Sequence, residues 1–319
     1  MLINYLFLQN FRKFEKKEFF FKEGVNLITG PNGAGKTTIL EAIHLLSYPR
    51  NLKGASNSEI IKKGKEFSLI LCKGNSKNGK YEIKLEIEKD KKNLYLNNKK
   101  VPSYSYVFKK LPTIFFHSKK EIIFWSKSEL LREINYLISL LDNEYFKILL
   151  NYNRILEQRN KYLKNIKENI DPFKKLLQDN GKILQSKRII YIKKIEEVMK
   201  SYLNVFINYE PSVLDYDFEK EKEKGFTLFG ISRDKITFLK DGFELKTQCS
   251  EGEKRIFLFY FYIAIAEMMK ESGNLPLLLL DDPFSILDFN LVKDFIGKWE
   301  GQIIITSLKD LDIKNKIVL

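Results

Sequence analysis

Polar and apolar residues alternate without a break over Tyr81-Glu82-Ile83-Lys84-Leu85-Glu86-Ile87-Glu88, the period-two pattern of a strand with one wet face. Residues 67–73 also read as a strand, and Gly74-Asn75-Ser76-Lys77-Asn78-Gly79 between them as a hairpin loop. Residues 2–8 and 18–22 read as strands flanking the turn Asn10-Phe11-Arg12-Lys13-Phe14. Residues 25–29 and 277–280 read as buried strands, and the largely apolar runs 111–116 and 302–306 as further strands. From Ser128 the period becomes helical and stays so to about Asn208. Leu149, Tyr152, Leu156, Leu163 and Ile166 fall at heptad-like steps with Arg159 interrupting, and Ile195, Val198, Tyr202 and Val205 repeat the spacing. Asp171-Pro172 breaks the run and can open a new helix. Two helices folding back as a short arm fit this segment; 172–208 would span about 55 Å if all helix. The sign-alternating run Glu219-Lys220-Glu221-Lys222-Glu223-Lys224 reads as a solvated loop or strand edge. Strand patterns return at 226–229 and 235–239, with Lys240-Asp241-Gly242 as a turn.

A phosphate-binding motif interrupts this pattern. Gly30-Pro31-Asn32-Gly33-Ala34-Gly35-Lys36-Thr37-Thr38 matches G-x-x-x-x-G-K-[ST], whose glycines let successive N–H groups point inward around a polyphosphate. The helix opening at Lys36 adds its positive end. Lys36 is expected to reach the β- and γ-phosphates, and the Thr37 hydroxyl to hold Mg²⁺. A glycine-rich turn matching by accident is the alternative; the buried strand 25–29 before it and the apolar helical stripe of 38–47 after it weigh against that. The motif predicts binding of a nucleoside triphosphate.

Composition adds limits. At 319 residues, 44% hydrophobic and 30% charged, the chain can bury a sizeable core. Its longest apolar run, Ile256 to Ala266, falls short of the roughly 20 residues that span a bilayer, and the N-terminus lacks a signal-peptide pattern. A cytoplasmic protein with no membrane partner is expected. Cys72 and Cys249 suggest no disulfide framework, and with only His44 and His117 besides a Cys/His metal site is not expected; both histidines read as structural. Lys and Arg number 55 against 41 Asp and Glu, a net charge of +14, which favours a polyanionic partner such as DNA. A genome biased toward AT-rich codons, which encode Lys, Ile, Asn, Phe and Tyr, is the competing source of that charge, and the lysines are dispersed.

A second constellation lies downstream. Leu277-Leu278-Leu279-Leu280-Asp281-Asp282 is a buried strand ending in two acids. The first, Asp281, is placed to hold Mg²⁺ through water, and Asp282 to polarise the attacking water. Ser250-Glu251-Gly252-Glu253 opens the apolar helix 256–266; Ser250 and Gly252 offer a hydroxyl and N–H groups to an anion, while Ser250 with Glu253 also forms a capping-box pattern. Ser285-Ile286-Leu287-Asp288 follows the acids. No histidine follows strand 302–306, which leaves Thr306 or Ser307 as candidates to face the γ-phosphate.

P-loop, S-x-G-E, acid-tipped strand and S-x-L-D in this order resemble the ABC-type ATPases, and the helical insertion is similar to the SMC group. Within it, the chain resembles the RecF family over nearly its whole length. Leu8-Gln9-Asn10-Phe11-Arg12-Lys13-Phe14 looks like the family's opening L-x-N-F-R-N-[YF], and Leu40-Glu41-Ala42-Ile43 follows the P-loop as in that family. Leu141-Asp142-Asn143-Glu144-Tyr145 and Tyr152-Asn153-Arg154-Ile155-Leu156-Glu157-Gln158-Arg159-Asn160 are similar to its L-D-x-x-Y and Y-x-x-x-L-x-Q-R-N. The family's G-P-H-R-D-D stands here as Gly230-Ile231-Ser232-Arg233-Asp234-Lys235.

The resemblance implies an α/β fold: an ABC-type ATPase head, with a mixed sheet and an antiparallel β subdomain, formed by 1–120 and 221–319, and a short helical or coiled-coil arm inserted over 121–220. It implies ATP and Mg²⁺ as cofactors, with Arg12 at the nucleotide beside the P-loop. It further implies an ATP-driven head-to-tail homodimer in which Ser250 and Gly252 of one chain close on the nucleotide of the other. Such a dimer would clamp DNA at gaps or single-strand/double-strand junctions during replication and the repair of damage. It would hydrolyse ATP slowly, faster with DNA, and help load recombinase together with a RecR-like mediator. The alternative is an ATP-gated DNA scaffold with vestigial hydrolysis, because Asp282 stands where a glutamate is common in this ATPase class.

Overall fold

A computed structural model of the chain describes residues 2–48, 56–76, 79–101, 111–117, 126–165 and 171–319. The chain divides into two compact units, Met1–Lys120 with Met269–Leu319, and Glu121–Met268.

The first unit opens with β1 (Leu2–Phe11), β2 (Phe14–Phe20), β3 (Val25–Thr29), α1 (Lys36–Ser47) and the single turn α2 (Asn57–Ile60). Then come β4 (Phe67–Ser76), β5 (Gly79–Glu88), β6 (Lys92–Leu96), β7 (Lys99–Val101) and β8 (Thr113–His117). The remaining elements of the chain are α3 (Lys127–Leu141), α4 (Asn143–Leu163), α5 (Lys174–Met199), β9 (Val205–Glu210), α6 (Phe218–Lys224), β10 (Lys235–Lys240), β11 (Phe243–Glu244), α7 (Leu245–Gln248), α8 (Glu251–Glu271), β12 (Leu277–Asp281), α9 (Phe289–Lys298), β13 (Ile303–Ser307) and β14 (Asn315–Val318). Those from β12 onward belong to the first unit, which α8 enters at its last residues.

Two sheets build the first unit. Strands ordered β2-β1-β4-β5-β6-β7 form an antiparallel sheet, and β14-β3-β13-β12-β8 a parallel one. The largely apolar runs become the central parallel strands: every residue of β8, β12 and β13 is buried, as strands covered on both faces require. Helix α1 touches β8, β12 and β13 of one sheet and β4 and β5 of the other, so Ile39, Leu40, Ala42, Ile43, Leu45 and Leu46 are all fully buried around its circumference. Gln302 ties the sheets together. Its amide accepts the Ile3 N–H at 2.8 Å and donates to the Ile3 and Lys22 carbonyls at 2.8 and 2.9 Å.

The second unit carries the arm. Lys187 of α5 meets Asp142 at 2.7 Å, Arg188 meets the Tyr145 hydroxyl at 3.0 Å, and Gly181 lies beside Tyr152, which makes α4 and α5 antiparallel. The motif residues that no phosphate chemistry demands turn out to knit this unit. Asp142 caps α4, accepting the Glu144 and Tyr145 N–H groups. Arg188, fully buried, bonds Asp234, the Ile231 carbonyl and Asn135; Asp234 in turn accepts from Gln185, Ser212 and Tyr209. Gly230 has φ +112°, and a Cβ there would stand 2.2 Å from the Tyr152 hydroxyl. Only glycine fits.

Four local readings are corrected. The helical period ends at Met199, and 205–210 is strand β9, paired with β10; Val205 and Ile207 are buried while Phe206 is exposed, so the period there is two. The run 219–224 is neither loop nor strand edge but lies in helix α6, and Glu221 is fully buried against Arg159 at 2.5 Å. Residues 226–229 form no strand: the Thr227 N–H goes to Asn160 and the Leu228 N–H to Glu221, so side chains take the place of a neighbouring strand. The strands β4 and β5 extend through Ser76 and Gly79, which shortens the hairpin loop to 77–78, outside the described residues. The second compact unit, Glu121–Met268, contains the expected arm 121–220 together with β10 and most of α8.

Candidate nucleotide site

The parallel register gathers the site at the carboxyl ends of the strands, where open α/β sheets bind ligands. Thr29, the last residue of β3, feeds the P-loop. Its neighbour β13 ends at Thr306-Ser307, β12 at Asp281, and β8 at His117, which pairs with Asp281. Gly30, Gly33 and Gly35 all have positive φ, the conformation that turns backbone N–H groups toward one centre. Gly35 has a second reason to be glycine: a Cβ would stand 2.6 Å from the Phe14 ring.

Lys36 is 8% exposed at the start of α1, and its ammonium bonds the Gly30 and Pro31 carbonyls at 2.6 and 3.0 Å. The loop is thus braced from inside by the charge expected to meet phosphate. Lys13 adds a second brace from the β1–β2 turn, reaching the Gly33 carbonyl at 2.5 Å. Ala34 donates to the Pro31 carbonyl, closing the turn.

The two acids have distinct surroundings. Asp281 is 5% exposed and accepts the Thr37 hydroxyl at 2.8 and 3.0 Å and the Thr306 hydroxyl at 2.9 Å; His117 Nδ1 stands 3.6 Å from its other side. Hydroxyl and carboxylate, 244 positions apart in sequence, converge as oxygen donors of the kind a hard divalent cation takes. Asp282 has φ +46°, the left-handed region that asparagine and aspartate tolerate best. Its N–H is held by the Thr306 hydroxyl at 2.8 Å and its carbonyl by the Ser285 hydroxyl at 2.8 Å. Thr306 therefore serves both acids, where the sequence offers it as a phosphate contact. Asp288 caps α9 through the Asn290 and Leu291 N–H groups.

A cleft of about 890 Å³ opens here, lined by Asn32, Gly33, Gly35, Lys36, Thr37, Thr38, Asp281, Asp282 and Thr306. That volume lies within the roughly 300–1,000 Å³ typical of small-ligand sites. Arg12 also lines it, with its guanidinium held two-pronged by Glu41 at 3.0 and 2.6 Å. Ser58, Glu59, Ile61 and Lys63 complete the wall. Sequence reasoning passed over these four, which join no motif, and Lys13, which it read only as part of the opening motif; the fold of the β1–β2 turn and α2 brings them near. His117 was legible only through register: it lies directly beside Asp281.

Ser250 and Gly252 belong to the second unit, exposed on the first turn of α8. The capping box forms as expected. Glu253 accepts the Ser250 N–H and hydroxyl at 2.9 and 2.8 Å, and the Ser250 oxygen accepts the Glu253 N–H at 3.3 Å. Among the described residues, no helix is long and apolar enough to cross a membrane.

Comparison with known proteins bears on this arrangement. The sequence model of the RecF/RecN/SMC N terminal domain matches residues 2–316. The chain is 30% identical to the DNA replication and repair protein RecF of Caldanaerobacter subterraneus subsp. tengcongensis, over 98% of this chain and 96% of the relative. It is 30% identical to the protein of that name from Clostridium acetobutylicum, over 94% and 91%. Among solved structures, the recombination mediator protein RecF with ATP in the RecFOR pathway superposes with a TM-score of 0.87 at 29% identity, covering 98% of this chain and 93% of that one. An SMC head bound to the C-winged helix domain of ScpA superposes at 0.50 with 16% identity, over 97% and 90%, a likeness of fold.

Proposed function

The chain belongs to the RecF family of SMC-like, ABC-type ATPases, and from that premise we propose that it is an ATP-dependent DNA-binding protein of replication and recombinational repair. ATP binding opens a head-to-tail homodimer cycle: each chain holds ATP and Mg²⁺ in its P-loop cleft, and Ser250 and Gly252 of the second chain complete the site. The dimer clamps DNA at gaps or at single-strand/double-strand junctions in the cytoplasm, and with a RecR-like mediator aids recombinase loading.

The observation that supports this reading most is the meeting of Thr37 with Asp281 beside the P-loop. The residues present fit the cofactor. Backbone N–H groups of 30–38 and Lys36 would hold the phosphates, with Arg12 at the rim, and Thr37 and Asp281 would hold Mg²⁺, whose charge would offset that developing on the transferred phosphoryl. Asp282, fixed by Thr306 and Ser285, orients the attacking water. Hydrolysis is slow and faster with DNA. The backbone of DNA is met by lysines, as on the exposed face of α5, where Lys175, Lys182, Lys193 and Lys194 stand out of the arm; such contacts position the protein without reading sequence.

A second reading, an ATP-gated scaffold with vestigial hydrolysis, is favoured by Asp282 itself, whose side chain reaches one methylene less far than a glutamate. DNA affinity measured with and without ATP, across a salt series on gapped and fully duplex DNA, tests the first reading. ATP is expected to tighten binding to gapped DNA, with log affinity falling linearly in log salt. Equal affinity with and without ATP would sink it. Turnover with and without DNA separates the two readings: a DNA-stimulated rate supports the ATPase, and none at all the scaffold.

A further inference from the structure

The first turn of α8 carries two acids, Glu251 and Glu253, beside the exposed Ser250 and Gly252. Acids are favourable at a helix N-terminus in an isolated chain, but here the same turn is the one expected to close on a polyphosphate, which repels them. Each acid has a lysine. Glu251 meets Lys254 of its own helix at 2.8 Å. Glu253 meets Lys240, which lies outside the helix at the end of β10, at 3.0 Å. Lys240 also bonds Asp241 at 2.7 Å, across the tight turn 241–242 that pairs Lys240 with Phe243. Its side chain is only 18% exposed and is held at both carboxylates, Asp241 and Glu253.

The bonds form a chain: Lys240 to one oxygen of Glu253, and the other oxygen of Glu253 to the N–H and hydroxyl of Ser250. Glu253 is held ionised by this arrangement, its carboxyl down to about 2, first by the Ser250 N–H and then by Lys240. The negative charge therefore persists at any working pH, and Lys240 is the group that offsets it.

We propose that Lys240 is a positioning residue for the Ser250–Gly252 turn: it offsets and fixes the Glu253 carboxylate that orients Ser250, so that this turn can approach nucleotide phosphates held by a second copy of the chain. This rests on the head-to-tail reading above. Removing Lys240 leaves an uncompensated carboxylate facing a polyanion; removing the carboxylate as well makes Lys240 dispensable.

The test measures ATP-driven association of wild type, Lys240→Gln, Glu253→Gln, Lys240→Arg and the Lys240→Gln/Glu253→Gln double variant by sedimentation, with ATP binding to the dilute monomer alongside. Lys240→Gln is expected to weaken association on the order of tenfold, as loss of charge complementarity at an interface does, while monomer ATP affinity stays unchanged. Lys240→Arg should match wild type, and the double variant should recover to within about twofold of Glu253→Gln alone. Association of Lys240→Gln equal to wild type overturns the proposal. So does a double variant weaker than Glu253→Gln by the same factor that separates Lys240→Gln from wild type, which would make Lys240 a structural brace only. Wild type that does not associate with ATP at all overturns the head-to-tail reading itself, a result distinct from the other two.

Discussion

Two adjacent carboxylates, Asp281 and Asp282, sit on one strand end and live in different chemistry. Asp281 is buried and receives two threonine hydroxyls, whereas Asp282, with its left-handed backbone, is only half-buried in the cleft lining. Asp281→Asn removes the charge that would bind Mg²⁺, so Mg²⁺-dependent ATP affinity should fall with turnover. Asp282→Asn keeps the Thr306 contact, which is made by its backbone N–H, and so should keep ATP affinity. Its turnover should drop by about 10²-fold or more, the usual cost of losing a general base, and ATP-bound dimer should accumulate. Titration calorimetry with and without Mg²⁺, beside steady-state phosphate release, distinguishes the two; identical profiles would show that the roles assigned to them are wrong. At this scale the sequence was informative where chemistry is local. Gly30 to Thr38 and the acid pair announce themselves by spacing. Thr306 and His117 do not, because their place beside Asp281 comes from the parallel register of β8, β12 and β13 and not from any nearby residue.

At the level of elements, the arm shows what periodicity can and cannot carry. The antiparallel pair α4–α5 was visible as a helical period broken at Asp171-Pro172, and the reason for the break is now concrete: Asp171 caps the turn through the Phe173 and Lys174 N–H groups and binds Arg159. Glu221 was invisible. A run alternating Glu and Lys has no apolar period, and its burial is imposed by Arg159, 62 positions away. Two acids in that run should therefore behave differently. Glu221→Ala leaves a fully buried guanidinium short of one partner and should cost about 3 kcal/mol. Glu223→Ala, on the exposed side of α6, should stay within ~0.5 kcal/mol of wild type. Urea unfolding followed by far-ultraviolet circular dichroism measures both, and equal midpoints for the two variants would contradict the buried network. The strand β9 was missed for a related reason: Val205 satisfies both a helical step from Tyr202 and a strand step to Ile207, and only pairing with β10 decides between them.

For the whole molecule, the decisive question is whether one chain holds a complete site. The P-loop and both acids lie in one compact unit, and Ser250 and Gly252 lie exposed in the other. In a head-to-tail dimer the exposed turn of one chain serves the cleft of the next, so defects in the two should complement each other. Lys36→Ala should lose ATP binding, since Lys36 supplies phosphate charge, and should still fold, because its ammonium bonds only two loop carbonyls. Ser250→Arg should bind ATP as a monomer but fail to associate, by bulk and by the loss of the capping box, which alone costs ~1 kcal/mol of helix stability. Neither variant should form ATP-dependent dimers by itself. Mixed, they can build one composite site: the Ser250→Arg chain contributes an intact P-loop and the Lys36→Ala chain an intact Ser250. Light scattering on addition of ATP should then report association in the mixture and in neither variant alone, with at most half the wild-type sites per dimer. If Ser250→Arg associates as wild type does, the turn acts within its own chain or not at all, and the clamp cannot close in the way described here. If the mixture stays monomeric while both variants are folded, a dimer needs two ATP molecules to close, which keeps the head-to-tail arrangement and makes its closure cooperative.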